Sequence, residues 1–211
     1  MPIENGLFAE NCYLVFDPGH ADTVIVDPGQ EVARFLLEAE RRGRRISEIW
    51  LTHAHIDHIQ GVGEVRQVTG APIYLHPDDR RLYDSLPEQG MWFGARLPPP
   101  PPPDRELFPG QRLRVGETEF EVRHTPGHSP GHVCFVADGL VLGGDLLFQG
   151  SIGRTDLPGG SLETLLTSIR RELLPLPDRT VVHPGHGPAT TIGHERTANP
   201  FLVGIEANVE K

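Results

Sequence analysis

Apolar residues in the first third of the chain change their spacing several times, and each spacing predicts one element. Two short apolar runs are each followed by Asp-Pro-Gly, which is typical of strands that end at a tight turn. Val32, Phe35 and Ala39 then recur at helical spacing, and Gly43 provides a stop. In chain order these patterns predict strands at 12–16 and 23–26, a helix at 31–42, a strand at 48–52, a helix at 61–68 and a strand at 72–75.

A run of six prolines, Pro98–Pro103, interrupts these patterns. Proline fixes φ and lacks a backbone donor, so the run excludes helix and inner strand, and we expect a stiff connection between two halves of the chain. Beyond it, apolar runs with Gly-rich turns predict strands, and Ser161 is the expected N-cap of a helix. In chain order these elements are strands at 112–115, 119–123, 132–136 and 140–142, a helix at 161–174 and a strand at 180–182.

Each half therefore begins with strands and continues with alternating helices and strands. In an α/β chain with this pattern, two sheets can face each other and helices can cover their outer faces, so that the apolar side chains are buried between the layers. The length of 211 residues fits one domain better than two, so we expect residues 1–211 to form a single domain.

Charge and hydropathy exclude several classes of function. A formal net charge of −10 does not suit a protein that binds nucleic-acid phosphates through clustered Lys and Arg. No apolar run approaches the length of a membrane span, and Met1–Phe16 lacks the cationic start of a secretory signal. We therefore expect a cytoplasmic protein with neither nucleic-acid nor membrane partners. Cys12 and Cys134 lie in apolar runs, where buried reduced thiols are expected.

The strongest chemical signal is the segment His-Ala-His-Ile-Asp-His at 53–58, directly after the strand expected at 48–52. We expect it to lie in a strand-to-helix loop, where α/β proteins place their sites. Imidazole and carboxylate are preferred ligands of zinc and similar cations, and a loop can fold several of them around one point. The candidate ligands of this segment are His53, His55, Asp57 and His58. Three more candidates lie on Gly- and Pro-shaped turns, namely His128, Asp145 and His186.

Seven candidate ligands exceed what one tetrahedral cation needs, but they suit two cations that share a carboxylate and a water. Two cations lower the pKa of that water, so hydroxide is present near neutral pH without a strong base. The sequence therefore predicts a hydrolase with two divalent cations. Zinc is the first expectation, and iron or manganese also accepts such His and Asp ligands.

Four motifs together resemble those of the metallo-β-lactamase fold superfamily and, within it, the glyoxalase II group of hydroxyacylglutathione hydrolases. They are Thr-His-Ala-His-Ile-Asp-His at 52–58, Thr-Pro-Gly-His at 125–128, Gly-Gly-Asp at 143–145 and Pro-Gly-His-Gly at 184–187. The resemblance implies a four-layer αβ/βα sandwich, with two mixed sheets flanked by helices and the metals at one edge. It also implies that one metal is bound by His53, His55 and His128, that the other is bound by Asp57, His58 and His186, and that Asp145 bridges them.

By the same resemblance, the expected activity is hydrolysis of a small-molecule thioester by hydroxide held between two metals. Asp57 would orient the water or accept its proton. β-Lactam hydrolysis is not expected, because the best-known β-lactamases of this fold carry Cys at the position of Asp145. The segment 150–160 resembles the substrate-side loop of short glyoxalase II-like proteins. Its Arg154 is a candidate to bind a carboxylate of the thiol carrier, with a structural salt bridge as the alternative.

The resemblance does not identify the thiol carrier of the substrate, so a glutathione thioester is one option among several. Eukaryotic glyoxalase II enzymes have a C-terminal helical domain that forms part of the glutathione site, whereas this sequence ends at Lys211. A Tyr that those enzymes carry near Asp156 is also missing.

Two other functions fit parts of the pattern. A persulfide dioxygenase of the same fold also has a Gly-Arg-Thr-Asp segment like 153–156, and it holds one iron through two His and one Asp. The related ligands would be His53 or His55, His128 and Asp145. The Pro-Gly-His-Gly turn favours the hydrolases instead. A non-catalytic metal-binding protein is the third alternative, and the sequence gives no indication of the oligomeric state.

Histidines outside the motifs are expected to have structural or surface roles. His183 lies three residues before His186 and is the one that could orient a ligand through a hydrogen bond. Tyr74, Tyr83 and Trp92 are expected in the core rather than at the mouth of the site. The other histidines of this group are His20, His76, His124, His132 and His194.

Overall fold

The computed structural model of the protein describes residues 1–203, and residues 204–211 of the expected domain lie outside the described residues. The first half of the chain builds one mixed sheet, whose strands lie side by side in chain order. These strands are β1 (Pro2–Asn5), β2 (Glu10–Phe16), β3 (Asp22–Val26), β4 (Arg45–Trp50), β5 (Ile73–Leu75) and β6 (Arg105–Glu106). The pairs from β1 to β3 are antiparallel, and those from β3 to β6 are parallel.

The second half builds another mixed sheet. In chain order its strands are β7 (Arg112–Val115), β8 (Thr118–His124), β9 (Val133–Ala137), β10 (Leu140–Gly144), β11 (Leu147–Phe148), β12 (Ser151–Ile152), β13 (Val181–Pro184) and β14 (Thr190–Thr191). β11 and β12 form a separate hairpin, and the other six form a sheet in the order β14-β13-β10-β9-β8-β7. In that sheet β10 and β13 are parallel, whereas the other pairs are antiparallel.

Helices cover the outer face of each sheet. They are α1 (Val32–Arg41), α2 (Ile56–Ile59), α3 (Val62–Thr69), α4 (Arg80–Asp84), α5 (Leu86–Trp92), α6 (Leu162–Ser168) and α7 (Ile192–Ala198). A 3₁₀ turn at Pro77–Asp79 precedes α4, and a π-helical segment at Ile169–Leu173 extends α6.

Three apolar cores separate the layers. Between the two sheets, Trp50 packs against Phe135 with 5.0 Å between ring centroids. Phe35 of α1 belongs to the core between the first sheet and its helices. Leu165 of α6 and Val182 of β13 belong to the core on the outer face of the second sheet. Three cores between four layers confirm the expected αβ/βα sandwich.

The elements expected from apolar spacing are present, with bounds that differ by at most three residues. Ser161 accepts a hydrogen bond from the backbone N–H of Thr164 at 3.3 Å, which confirms it as an N-cap. Gly43 follows α1 with a φ of 63°, a conformation in which glycine avoids the steric cost of a Cβ. Cys12 and Cys134 are buried free thiols, as expected.

The expectation for the proline run was wrong in one respect. Pro98–Pro103 has neither helix nor strand, but it does not separate the two sheets. It leads into β6, which still pairs with β5 of the first sheet, so the link between the sheets comes after Glu106. The segment 77–92 was not expected to be helical. Its helices are short and broken, so they show no sustained period of apolar residues.

Removing the ring of Trp50 is expected to destabilise the sandwich strongly. Trp50 is fully buried between Phe120 and Phe135, so Trp50→Ala leaves a cavity between the sheets and lowers the free energy of unfolding by about 3–5 kcal/mol. Urea denaturation measures this change. The control Phe108→Ala removes an aromatic ring that is 57% exposed and shifts the value by about 0.5 kcal/mol or less. Equal losses in the two variants would contradict the prediction.

Candidate metal centre

The candidate ligands lie where the carboxyl ends of strands from both sheets meet. β3 and β4 are parallel, as are β10 and β13, so the strands of each pair end at one edge of their sheet. β4 leads into His53, β10 into Asp145, and β13 into His186. His128 lies in the turn between β8 and β9, at the carboxyl end of β8. Side chains far apart in sequence therefore converge at this edge.

The segment 53–58 is only partly a loop, which corrects the expectation from sequence. His53 and His55 lie in extended chain after β4, whereas Asp57 and His58 belong to the helical turn α2. His53, His55 and His58 are buried, and Asp57 is partly exposed toward a cavity.

Three histidines form the first cluster of possible ligands. The Nδ1 atom of His55 lies 2.8 Å from Nε2 of His128, and that Nε2 lies 3.2 Å from Nε2 of His53. All three side chains are buried, and their nitrogens are close enough to hold one metal ion. This geometry suits a small cation with imidazole ligands.

The second cluster contains Asp57, His58 and His186, and Asp145 lies between the two clusters. Asp57 Oδ2 is 3.2 Å from Nε2 of His186 and 3.8 Å from Nε2 of His58. Asp145 Oδ1 is 3.4 Å from Nε2 of His58, and its Oδ2 is 3.4 Å from Nε2 of His128. The same Oδ2 is 3.5 Å from Nε2 of His186. One carboxylate therefore faces nitrogens of both clusters.

Two buried atoms at the centre show that the residues fit a cation. His58 Nε2 and Asp145 Oδ1 make no hydrogen bond with the described residues, although both are inaccessible to solvent. A buried polar atom without a partner is costly, and a bound cation would supply one for each. The donor set of imidazoles and carboxylates is the one that zinc and iron accept.

The pKa shifts of the histidines and of Asp145 suit a site that binds a cation. Burial lowers the pKa of His53 and brings that of His55 to about 3, so both imidazoles are neutral with a free lone pair. Burial acts to raise the pKa of Asp145, but His58, His128 and His186 together outweigh it and hold that pKa below its usual range. Conversely, burial opposes protonation of His58, yet the carboxylates of Asp145 and Asp57 raise its pKa well above normal.

Asp27 and Thr52 orient two of these imidazoles. The Thr52 hydroxyl donates to Asp27 Oδ2 at 2.6 Å, so its oxygen is free to accept from His53 Nδ1 at 3.0 Å. Asp27 Oδ2 also accepts from His58 Nδ1 at 3.1 Å. Both histidines are thereby held with Nε2 facing the centre, as is usual when the other ring nitrogen of a metal-ligating histidine is hydrogen-bonded.

Backbone oxygens orient two more histidines. His128 Nδ1 donates to the carbonyl of Arg154 at 2.7 Å, and His186 Nδ1 donates to the carbonyl of Phe8 at 3.0 Å. The backbone N–H of Asp145 donates to His132 Nε2 at 3.0 Å. Each of these contacts leaves the atom that faces the centre free for another partner.

The family model of the Metallo-beta-lactamase superfamily matches residues 5–186, which include all seven candidate ligands. The chain belongs to the metallo-β-lactamase superfamily. The resemblance inferred from the four motifs is thereby confirmed, and the expected class, a metal-dependent hydrolase, is supported at the level of this superfamily.

Three relatives place the chain within the superfamily. The hydroxyacylglutathione hydrolase GloC of Haemophilus influenzae is 41% identical over 199 residues, which cover 92% of this chain and 93% of that protein. A crystal structure of TTHA1623 in a di-iron-bound form is 44% identical, with a TM-score of 0.88, and the match covers 96% of this chain and all of that one. The structure of BLEG-1 B3 metallo-beta-lactamase is 40% identical, with a TM-score of 0.90, and the match covers 97% and 99%.

Hydrogen bonds from the first sheet fix the Pro-Gly-His-Gly turn at 184–187. Asn11 and Tyr13 of β2 both donate to the carbonyl of Pro184, at 3.1 and 2.7 Å. A Cβ at Gly185 would overlap Asp145 Oδ1 and crowd the His58 ring. Glycine is therefore required here because the backbone passes directly against the ligands.

Two buried polar residues fix the backbone of the 53–58 segment. Asp79 accepts from the backbone N–H of Ala54 at 2.9 Å and from the Ser129 hydroxyl at 2.8 Å, which ties the segment to the His128 turn. Gln89 donates to the carbonyl of Ala54 at 3.1 Å and accepts from the N–H of Ile56 at 2.9 Å. These bonds fix the path of the chain between the ligands.

A cavity of about 750 Å³ opens from the centre to solvent. Arg154 lies in its wall, and its guanidinium pairs with the Asp156 carboxylate at 2.8 Å. Trp92 also lines the cavity and is 62% exposed, so the expectation that it lies in the core was wrong. Tyr83 is fully buried as expected, and Tyr74 is partly buried against the core between the sheets.

The other histidines divide into structural and surface residues. His132 is buried beside the centre, whereas His76 and His124 stack with 4.2 Å between ring centroids. His183 packs its ring against Tyr13, and no hydrogen bond from its side chain to His186 is seen in residues 1–203. His132 instead contacts a candidate ligand, since its Nε2 accepts from the backbone N–H of Asp145. No helix of residues 1–203 is both long and apolar enough to cross a membrane.

Three residues that support the site were not identified from sequence. Asp27 directly follows the strand at 23–26, and the rule that singled out Asp145 at a strand end would have found it. Asp79 and Gln89 gave no such signal, because they lie among the short helices that apolar spacing did not reveal.

Asp27→Asn is expected to weaken metal binding without unfolding the protein. The amide keeps the size of the side chain but loses the charged oxygen that accepts from Thr52 and His58. Such changes around a metal lower its affinity by about 10–100-fold. Competition with a chromophoric chelator measures the affinity for Zn²⁺. The control Asp22→Asn alters an exposed carboxylate that pairs with Arg45, and equal affinity in both variants would contradict the role of Asp27.

Proposed function

We propose that this chain is a thioester hydrolase of the hydroxyacylglutathione hydrolase type, which binds two divalent cations. One observation carries the proposal: the Asp145 carboxylate lies 3.4–3.5 Å from imidazole nitrogens of both clusters. A shared carboxylate is what a pair of adjacent cations requires, and such pairs serve hydrolytic reactions.

The assignment of ligands follows the two clusters. His53, His55 and His128 would hold one cation, and Asp57, His58 and His186 would hold the other. Asp145, whose carboxylate faces both clusters, would be a ligand that the two cations share. Zinc and iron both suit these ligands, and the di-iron-bound form of TTHA1623 supports a pair of metals in a relative that is 44% identical.

When bound, two such cations lower the pKa of a water molecule and polarise a carbonyl oxygen. In the reaction, the water oxygen forms a bond to the acyl carbon, the C–S bond breaks, and the thiolate takes up a proton. A thiolate is a good leaving group, so a strong general acid is not needed. The name of GloC, hydroxyacylglutathione hydrolase, supports this class of substrate for a relative that is 41% identical.

We assign to Asp57 the orientation of the attacking water. Asp57 faces the cavity, and its Oδ2 lies 3.2 Å from Nε2 of His186. Burial acts to raise the pKa of Asp57, but the charge of His58 and the contact with His186 together outweigh it and lower that pKa. The carboxylate therefore stays ionised near neutral pH and can accept a hydrogen bond from water.

Arg154 remains our candidate for the anionic part of the thiol carrier. Its guanidinium lies in the cavity wall with a bidentate partner, Asp156, and both side chains are largely exposed. A substrate carboxylate can compete with an exposed partner of this kind, because exposed ion pairs contribute little free energy.

Persulfide oxidation by a single iron is the main competing activity. It would use His53 or His55 with His128 and Asp145, and it would leave Asp57, His58 and His186 without a role. The buried Nε2 of His58, which has no hydrogen-bond partner among residues 1–203, favours a second cation and hence the hydrolase.

Metal analysis combined with three activity assays tests the proposal. Protein purified without added metal is analysed for metal content and then assayed with glutathione thioesters, with glutathione persulfide under oxygen monitoring, and with a chromogenic β-lactam. The last assay is included because the structure of BLEG-1, 40% identical, is that of a B3 metallo-beta-lactamase. Two metals with thioester cleavage support the proposal. Two metals without thioester cleavage, or one iron with oxygen uptake, would overturn it.

Asp145→Ala is expected to lower the occupancy of both metals, because the variant removes the ligand that they share. Metal content per folded chain should fall from two to fewer than one, and thioester hydrolysis should fall with it. Elemental analysis on protein of verified fold measures the change. Asp22→Ala, at an exposed position, is the control, and wild-type metal content in Asp145→Ala would exclude the bridging role.

A further inference from the structure

One wall of the cavity is aromatic and belongs to three separate segments of the chain. Phe8 lies between β1 and β2, Trp92 and Phe93 lie at the end of α5, and Phe148 lies in β11. We call these four residues the aromatic wall. The rings of Phe8 and Phe93 meet edge to face, with 4.9 Å between centroids, so the wall is continuous across two of these segments.

The aromatic wall lies beside the second cluster of ligands. The carbonyl of Phe8 accepts from His186 Nδ1 at 3.0 Å, and the Phe148 ring lies 6.0 Å from the His186 ring. On the side of the first cluster, the backbone carbonyl of Arg154 accepts from His128 Nδ1 at 2.7 Å, and Arg154 also lines the cavity. The lining beside the second cluster is therefore aromatic, whereas the lining beside the first includes an arginine.

Large parts of the aromatic wall are exposed to solvent. Trp92 is 62% exposed, Phe93 54% and Phe8 37%. An exposed group of large apolar side chains marks a surface that binds an apolar ligand. This surface is continuous with the candidate metal centre, since both line the same cavity, so the group it binds is part of the substrate.

The cavity lining includes two arginines, Arg81 and Arg154. The guanidinium of Arg154 pairs with the Asp156 carboxylate. Three of the four side chains of the aromatic wall carry no hydrogen-bonding atom. The wall thus offers little to a hydroxylated or charged group and much to a hydrocarbon chain.

We infer that the acyl group of the substrate is a hydrocarbon chain longer than lactoyl, which lies against the aromatic wall while the carrier extends toward Arg154. This inference rests on the proposed thioester hydrolysis. A thioester has two substituents, the acyl group and the carrier. If the carrier's anionic group meets Arg154 beside His128, the acyl group lies on the side of His186 and Phe148. The cavity of about 750 Å³ accommodates ligands of this size.

A series of acyl chains on one carrier tests the inference. The metal-loaded protein is assayed with acetyl, butyryl, hexanoyl and lactoyl thioesters of glutathione. We expect kcat/KM to rise about threefold for each added methylene, since each methylene leaves water for an apolar surface. The gain from acetyl to hexanoyl is then on the order of 100-fold. Lactoyl should be cleaved less efficiently than butyryl.

Variants then locate the effect on the aromatic wall. The double variant Trp92→Ala/Phe93→Ala should lose most of the gain with chain length while it keeps its metal content, because neither residue makes a hydrogen bond to a candidate ligand among residues 1–203. Phe108→Ala is the matched control, because Phe108 is 57% exposed but does not line the cavity. It should retain the full dependence on chain length.

Three outcomes would overturn the inference, and they separate it from the proposed function. Cleavage of every thioester with flat or falling dependence on chain length would overturn the inference alone. The same holds if the double variant keeps the wild-type dependence on chain length. Failure to cleave any of the thioesters would overturn the proposed function together with the inference.

Discussion

The contact of one buried carboxylate with imidazoles from two clusters is the constraint on which the rest of the site depends. Asp145 follows β10 and faces nitrogens of His58, His128 and His186 at 3.4–3.5 Å. Burial makes such a carboxylate costly unless positive charge compensates it, and without metal the raised pKa of His58 supplies part of that charge. A cation that replaces this proton would release it, so metal binding and protonation compete at the same place.

The fold provides this contact by bringing strand ends of two sheets to one edge. A sandwich with a continuous core between the sheets holds the ends of β4, β10 and β13 in fixed relation, and Asn11 and Tyr13 tie the last turn to the first sheet. Each imidazole is then oriented by an oxygen behind it, such as that of Thr52 or the Phe8 carbonyl. Rigid layers and hydrogen bonds to the far ring nitrogens therefore act together to preorganise the ligands.

Much of the fold and the ligand set could be predicted from sequence because both rest on local patterns. Apolar spacing found the main strands and helices, and His, Asp and Gly at strand ends indicated the site. Asp79 and Gln89 could not be found this way, because their partners at 54 and 56 are far along the chain and no local pattern links them. Trp92 was placed in the core because large aromatic residues are usually buried, whereas here it lines a cavity.

In our proposal, hydrolysis and the choice of acyl group depend on different residues around the centre. The buried clusters would hold the cations, and the surrounding wall would select the acyl group, so metal content and substrate preference are separable properties. The bridging position of Asp145 is the central claim, and anomalous scattering from crystals grown with zinc tests it most directly. We predict two anomalous peaks, one on each side of the Asp145 carboxylate. A single peak, or a second peak away from Asp145, would contradict it.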